Sequence, residues 1–294
     1  MRPELFTIGP VTLHSFGLMM ALAFVTAGVV AAWRFKRAGI DPDMAYGLLI
    51  AAIVGGIVGA KVHYLLVHPD EWRTAAFSGS GLIWYGGMLG GGLAVWLVAH
   101  FSLVRTALLA DAIAPGLAAA YAVGRVGCLL NGDDYGVPSG LPWAMSFPKG
   151  SPPTTQLVHP TQIYEILGSL VILALLLWVL EPRLRNAGSL FWSYLGLAGI
   201  ERFLVEFVRT NTPVALGLTQ AQWMSVGLMV AGALGVWWVE SRGAPAGVIG
   251  TAAVVASPPR SAKKTRVRAG DSEGGGQGPA GGKGSDAPRR RRSG

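Results

Sequence analysis

Gly124-Arg125-Val126-Gly127-Cys128-Leu129-Leu130-Asn131-Gly132-Asp133-Asp134-Tyr135-Gly136 begins as the end of a long apolar run and finishes as a polar, glycine-rich turn. An arginine stands just inside the apolar part, and an asparagine and two aspartates follow within a few residues. A charge at the edge of a hydrocarbon layer is costly, so it is rare there without a partner or a task. The stretch reads as the outer end of a membrane-spanning helix, at the level where the chain meets an anionic lipid headgroup.

The rest of the chain fits a bundle around that helix. Apolar runs cover 13–33, 44–66, 82–100, 107–130, 162–180, 189–208 and 220–240. Each is near the roughly 20 residues that a spanning helix needs. The expected fold is an all-α membrane protein, a seven-transmembrane-helix bundle, with a polar extracytoplasmic segment between the fourth and fifth helices. The catalytic domain is expected over 1–242. Residues 243–294 are Gly/Ala/Pro/Ser-rich and basic, cannot bury a core, and are expected to be a disordered tail.

Charge sets the expected orientation. Arg34, Lys36 and Arg37 directly follow the first run and outweigh the lone Arg2 before it, which places the N-terminus outside. With seven spans, Arg105, Arg183, Arg185 and the tail fall on the cytoplasmic side, and Arg73, Lys149 and Arg209 fall outside with Arg2. The net charge of +8 resides in the tail, where 11 Lys/Arg face 3 Asp/Glu from residue 242 onward. The body is neutral, so it offers no basic surface for nucleic acid. The single Cys128 excludes an internal disulfide and any multi-cysteine metal site.

Three groups of residues carry candidate chemistry. Arg125 is either a structural arginine paired with Asp133 or another acid, or a guanidinium that grips a phosphate through its planar fork. In the second case Asn131, Asp133 and Asp134 orient it, and Gly136 is among the glycines that let a headgroup approach the backbone. Arg202, Glu206 and Arg209 stand at i, i+4 and i+7 on one face of the sixth helix. They form either an architectural ion pair or a second phosphate clamp. His159, Gln162, Tyr164 and Glu165 gather at the outer start of the fifth helix, which Pro160 suits and Thr161 is expected to help cap. Tyr85, near the same level, reads as an interfacial anchor or as a phenol polarised by arginine. His14, His63, His68 and His100 have no metal-ligand spacing.

These residues resemble the blocks of the bacterial prolipoprotein diacylglyceryl transferase family. The stretch 124–136 is similar to its signature, roughly Gly-Arg-x-Gly-Asn-x-x-Asn-x-Glu-x-x-Gly. HPTQIYE (159–165), ERFLVEFVR (201–209), WYGGMLGG (84–91) and, more weakly, SFGLMM (15–20) resemble further blocks, in order over about 10–240. The resemblance implies a bacterial inner-membrane enzyme without metal or cofactor. Its reaction moves the diacylglyceryl group of phosphatidylglycerol to the lipobox cysteine of a prolipoprotein and releases glycerol phosphate.

On this resemblance the signature arginine, which binds phosphatidylglycerol, falls on Arg125, and the essential arginine of the sixth helix on Arg202. The expected catalytic set is Arg125, Arg202, Tyr85 and Glu206. The expected substrate-binding set is Arg125, Asn131, Asp133, Gly136, His159, Gln162, Tyr164, Glu165 and Arg209. The chain departs from the family at Cys128 for asparagine and Asp133 for glutamate. It also has Tyr85 where some members have histidine, and Phe16 where a tyrosine is expected. A transporter for an anionic solute would also place arginines in a bundle, but it predicts inverted repeats and polar residues at the midplane rather than at one face.

Overall fold

Each apolar run is helical in the computed structural model, which describes residues 3–8, 11–71, 81, 83–102 and 104–242. The helices are α1 (Ser15–Arg37), α2 (Asp43–Val67), α3 (Trp84–Phe101), α4 (Thr106–Asn131), α5 (Thr161–Ala174), α6 (Ser189–Glu206) and α7 (Gln220–Arg242). A π-helical stretch, Leu175–Leu180, continues α5. Thr161–Leu180 and helices α1, α2, α4 and α7 are long and apolar enough to cross a membrane. α3 is apolar but shorter, and α6 carries Glu201, Arg202 and Glu206 in its last two turns. The chain is a helical membrane protein. All described residues belong to one compact unit, Met1–Val254. The expected tail, 243–294, lies outside the described residues, as do Arg2 and Arg73.

Large apolar side chains cover much of the outer surface, as lipid rather than water demands, and polar ones are buried inside. Val25, Ile50, Val54 and Leu89 are 55%, 61%, 56% and 68% exposed, whereas Gln162 and Glu165 are fully buried. Helices pack chiefly in the pairs α1–α4, α2–α3 and α6–α7, with α5 against α4 and α6. Small residues make the seams: a Cβ on Gly59 of α2 would stand 2.7 Å from the Gly90 Cα of α3. Such close backbone approach replaces the hydrophobic drive that is absent between helices in lipid.

Two sets of polar contacts fix opposite ends of the bundle. At one end Arg34 donates to Glu181 at 2.8 and 3.1 Å. Nearby, Asp111 of α4 accepts from the backbone N–H groups of Gly188 and Phe191 at 2.6 and 2.8 Å, which holds the start of α6. The other end bears the candidate site.

Two details differ from the sequence expectation. The polar segment between α4 and α5 contains a hairpin, β3 (Met145–Phe147) and β4 (Thr154–Val158), and two more hairpins pair β1 (Glu4–Ile8) with β2 (Val11–His14) and β5 (Pro213–Ala215) with β6 (Leu218–Thr219). Phe147 is fully buried and stacks on Tyr135 at 5.4 Å, giving the segment a small core. In addition, α6 stops at Glu206 rather than 208. Arg209 has left the helix and forms a bridge with Gly136.

Candidate active site

The last turns of α4 deliver Tyr121 and Arg125 to the same face, four residues apart. Arg125 donates from Nε and Nη2 to the Tyr121 hydroxyl at 3.0 and 2.9 Å. That hydroxyl donates in turn to Glu165 Oε1 at 3.0 Å. The guanidinium also pairs with Glu165 Oε1 at 3.0 Å and with Asp134 Oδ2 at 2.8 Å. The composition around Tyr121 concealed it: a single tyrosine in an alanine-rich run, one turn before the arginine, was the available signal.

α4 ends because Gly132 adopts a left-handed conformation, φ +73°, and its N–H bonds back to the Cys128 carbonyl. Asp134 follows at φ +63°, so the chain doubles back over Arg125. Two side chains from the start of α5 pin this turn: Gln162 donates to the Asp133 carbonyl, and Thr161 to the Asp134 carbonyl at 2.5 Å. Thr161 makes no helix cap, contrary to expectation. Asn131 donates to Asp133 Oδ2 at 2.6 Å, so these two bond to each other and Asp134 takes Arg125. Gly136 is required by space, since a Cβ there would run into the Val208 carbonyl and stand 2.9 Å from His159 Cβ.

Two further arginines close a ring. Arg209 Nη2 pairs with Asp134 Oδ1 at 2.5 Å, and its Nη1 lies 3.9 Å from Glu165 Oε2. Arg202 pairs with Glu206 at 2.8 Å and approaches Glu165 at 3.7 Å. Asn211 and Thr219 donate to Glu206 at 2.6 and 2.8 Å. Three guanidiniums thus meet three carboxylates, and the Glu165 and Glu206 side chains are fully buried. Unpaired, any of these charges would carry a heavy desolvation cost. Arg202 Nη1 and Arg209 Nη1 are buried without a hydrogen bond, so guanidinium donors remain unspent. Burial disfavours the Asp134 carboxylate, but Arg209 and Arg125 outweigh it and hold its pKa below the ordinary value.

Of the remaining expected residues, His159 and Tyr164 stand beside this ring at the start of α5, and Tyr85 belongs to a different helix pair. His159 Nδ1 lies 3.1 Å from the Tyr164 hydroxyl, which also accepts from Trp143 Nε1 at 2.8 Å. Tyr85 is in the first turn of α3, a helix that packs chiefly on α2. Cys128 Sγ and the Asp133 and Asp134 carboxylates lie within 4.8 Å of one another, a spacing open to a cation. Arg125 Nη1 already supplies positive charge there, 3.7 Å from Cys128 Sγ and 2.8 Å from Asp134.

Residues 3–238 match the family model described as prolipoprotein diacylglyceryl transferase. A relative from Dehalococcoides mccartyi, a phosphatidylglycerol–prolipoprotein diacylglyceryl transferase, is 37% identical over 77% of this chain and 89% of its own length. Relatives of the same name from Trichormus variabilis and Clostridium tetani are 31% and 32% identical, over 83% and 71% of this chain and 91% and 86% of their own lengths. The arginine ring therefore stands where α4, α5 and α6 converge in a chain that belongs to the prolipoprotein diacylglyceryl transferase family.

Proposed function

We propose that this protein transfers the diacylglyceryl group of phosphatidylglycerol to the lipobox cysteine of prolipoproteins, the first step of lipoprotein maturation. The observation that carries the reading is the convergence of Arg125, Arg202 and Arg209 on one small volume at one end of the bundle. Arginine forks match the paired oxygens of a phosphodiester. The seven helices span a bacterial inner membrane, with the ring toward the extracytoplasmic face and the tail inside.

The lipid enters sideways from the outer leaflet, and the guanidiniums hold its phosphate. The lipobox thiolate attacks the glycerol carbon that carries the phosphate ester. A carbon–sulfur bond forms as the carbon–oxygen bond breaks, and glycerol phosphate leaves with the bonding pair. The thiol proton ends on the released monoester or in solvent. Negative charge grows on the departing phosphate, and fixed arginine donors stabilise it without reorganising. Arg125 and Arg202 act on that charge, and Arg209 adds to the binding. Glu165, Glu206 and Tyr121 keep the forks aimed. Asn131, Asp133, Gln162 and Gly136 shape the turn that carries the headgroup. His159, Tyr164 and Tyr85 line the approach of the thiol.

The test is a transfer assay with purified protein, phosphatidylglycerol and a lipobox peptide. Wild type is expected to form the thioether. Arg125→Ala is expected to lose at least about a hundredfold in rate, as when a fixed donor to a developing anion is removed. Normal transfer by that variant would sink the proposed role of Arg125.

A further inference from the structure

Asp134 occupies the ring in the manner of a ligand. Its two oxygens accept from guanidiniums of different elements, Arg125 at the end of α4 at 2.8 Å and Arg209 beyond α6 at 2.5 Å. A carboxylate in that position presents the same pair of oxygens that a phosphodiester would. Asp134 also differs from the other two acids of the ring: its side chain is 41% exposed, whereas those of Glu165 and Glu206 are fully buried. Its left-handed backbone, φ +63°, is a conformation that aspartate tolerates at some cost.

We infer that Asp134 is an internal stand-in for the substrate phosphate, closing the arginine ring when no lipid is bound and yielding to the lipid's phosphate when one arrives. The inference rests on the reading that the ring binds a phosphodiester headgroup. Charge supports the exchange. One carboxylate carries one negative charge, as does a phosphodiester, so the swap leaves the ring balanced. Glu165 and Glu206 cannot make way, because each is enclosed and tied to several partners. Arg202 Nη1 and Arg209 Nη1 lie 3.7 and 3.9 Å from Glu165 but make no hydrogen bond, so they are donors that Asp134 does not use and that further phosphate oxygens would. Both atoms are closed to bulk solvent, so water does not satisfy them. Asp134 thus lowers apparent lipid affinity while keeping three guanidiniums from repelling one another in the empty site.

The experiment compares wild type, Asp134→Asn and Asp134→Glu as full-length protein in detergent. Binding is measured with short-chain phosphatidylglycerol and, separately, with inorganic phosphate. KM and kcat are measured with a lipobox peptide. Asp134→Asn is expected to tighten both ligands and lower the lipid KM by roughly tenfold, about the worth of one charge-assisted hydrogen bond no longer competed for. Asp134→Glu keeps the competing charge and is expected to bind neither ligand more tightly than wild type. A gain for the lipid but none for phosphate overturns the inference, because it would place the effect on acyl or glycerol contacts. Unchanged constants, or weaker binding with a lower melting temperature in Asp134→Asn, overturn it in favour of a purely structural tie. If wild type forms thioether while Asp134→Asn gains nothing, only the stand-in role fails. If wild type forms none, the transferase reading fails and takes the inference with it.

Discussion

Glu165 is the residue on which the three guanidiniums depend most. It is fully buried and lies within ion-pairing distance of Arg125, Arg202 and Arg209. Glu165→Gln keeps the shape and removes the charge, leaving buried positive charge under-compensated. Breaking a buried pair this way typically costs about 3–5 kcal/mol. Thermal unfolding in detergent should show a clear fall in melting temperature, with transfer activity lost in parallel. An unchanged melting temperature would mean that water reaches the ring and that the burial argument is wrong. At this scale the sequence was partly readable. Arg125, Arg202, Glu206 and Glu165 announced themselves as charges inside apolar runs, because lipid makes such charges costly. The pairing did not. Arg125 takes Asp134 rather than Asp133, since the left-handed turn after Gly132 turns the second aspartate back, and no periodicity encodes that turn.

At the scale of elements, the junction between α4 and α5 decides whether the ring forms. Gly136 is wedged between the residues before α5 and the segment after α6: its N–H bonds the His159 carbonyl at 2.9 Å, and Val137 N–H bonds the Val208 carbonyl at 2.8 Å. Gly136→Ala would push a methyl group into Val208 and His159, forcing that segment and the neighbouring Arg209 outward. Overpacking of this kind costs about 1–3 kcal/mol. The expected outcome is a modest stability loss together with a larger loss of transfer, because Arg209 moves out of the ring that binds the phosphate. A stability loss with wild-type kinetics would show that Arg209 does not need that position. The helices themselves were legible to within a few residues, because long apolar runs have few alternatives. The hairpins were not. Their strands are two to five residues long and lie in Gly- and Pro-rich stretches where turn residues mask alternation. The end of α6 was misplaced for a related reason: Phe207 and Val208 continue the apolar pattern while the backbone leaves the helix to meet Gly136.

At the scale of the molecule, the mechanism requires one sidedness. A lipobox cysteine follows a signal sequence, so its thiol is presented at the extracytoplasmic face, and the arginine ring must face the same way. Arg125 and Arg202 place the ends of α4 and α6 at the start of α5 through Glu165, whereas Arg34 pairs with Glu181 at the far end of α5, so Arg34, Lys36, Arg37 and Arg185 lie toward the other rim. Basic residues favour the cytoplasmic side, so the rim opposite the ring should be the inner one. Single cysteines in a Cys128→Ser background test this. Cys128 is buried with its thiol 3.7 Å from Arg125 Nη1 and close to the Asp133 carboxylate, a polar setting in which serine should be accommodated. Gly140→Cys, on the exposed segment beside the ring, should react with a membrane-impermeant maleimide on intact bacterial cells. Arg185→Cys, exposed on the other rim between α5 and α6, should react only after the cells are permeabilised. The reverse pattern would put the ring in the cytoplasm, where a translocated lipobox thiol cannot reach it, and the transfer mechanism would fail with it. Labelling of both sites on intact cells would instead mean that α5 and α6 do not span the bilayer as a pair, which would remove the lateral entry route while leaving the ring itself in place.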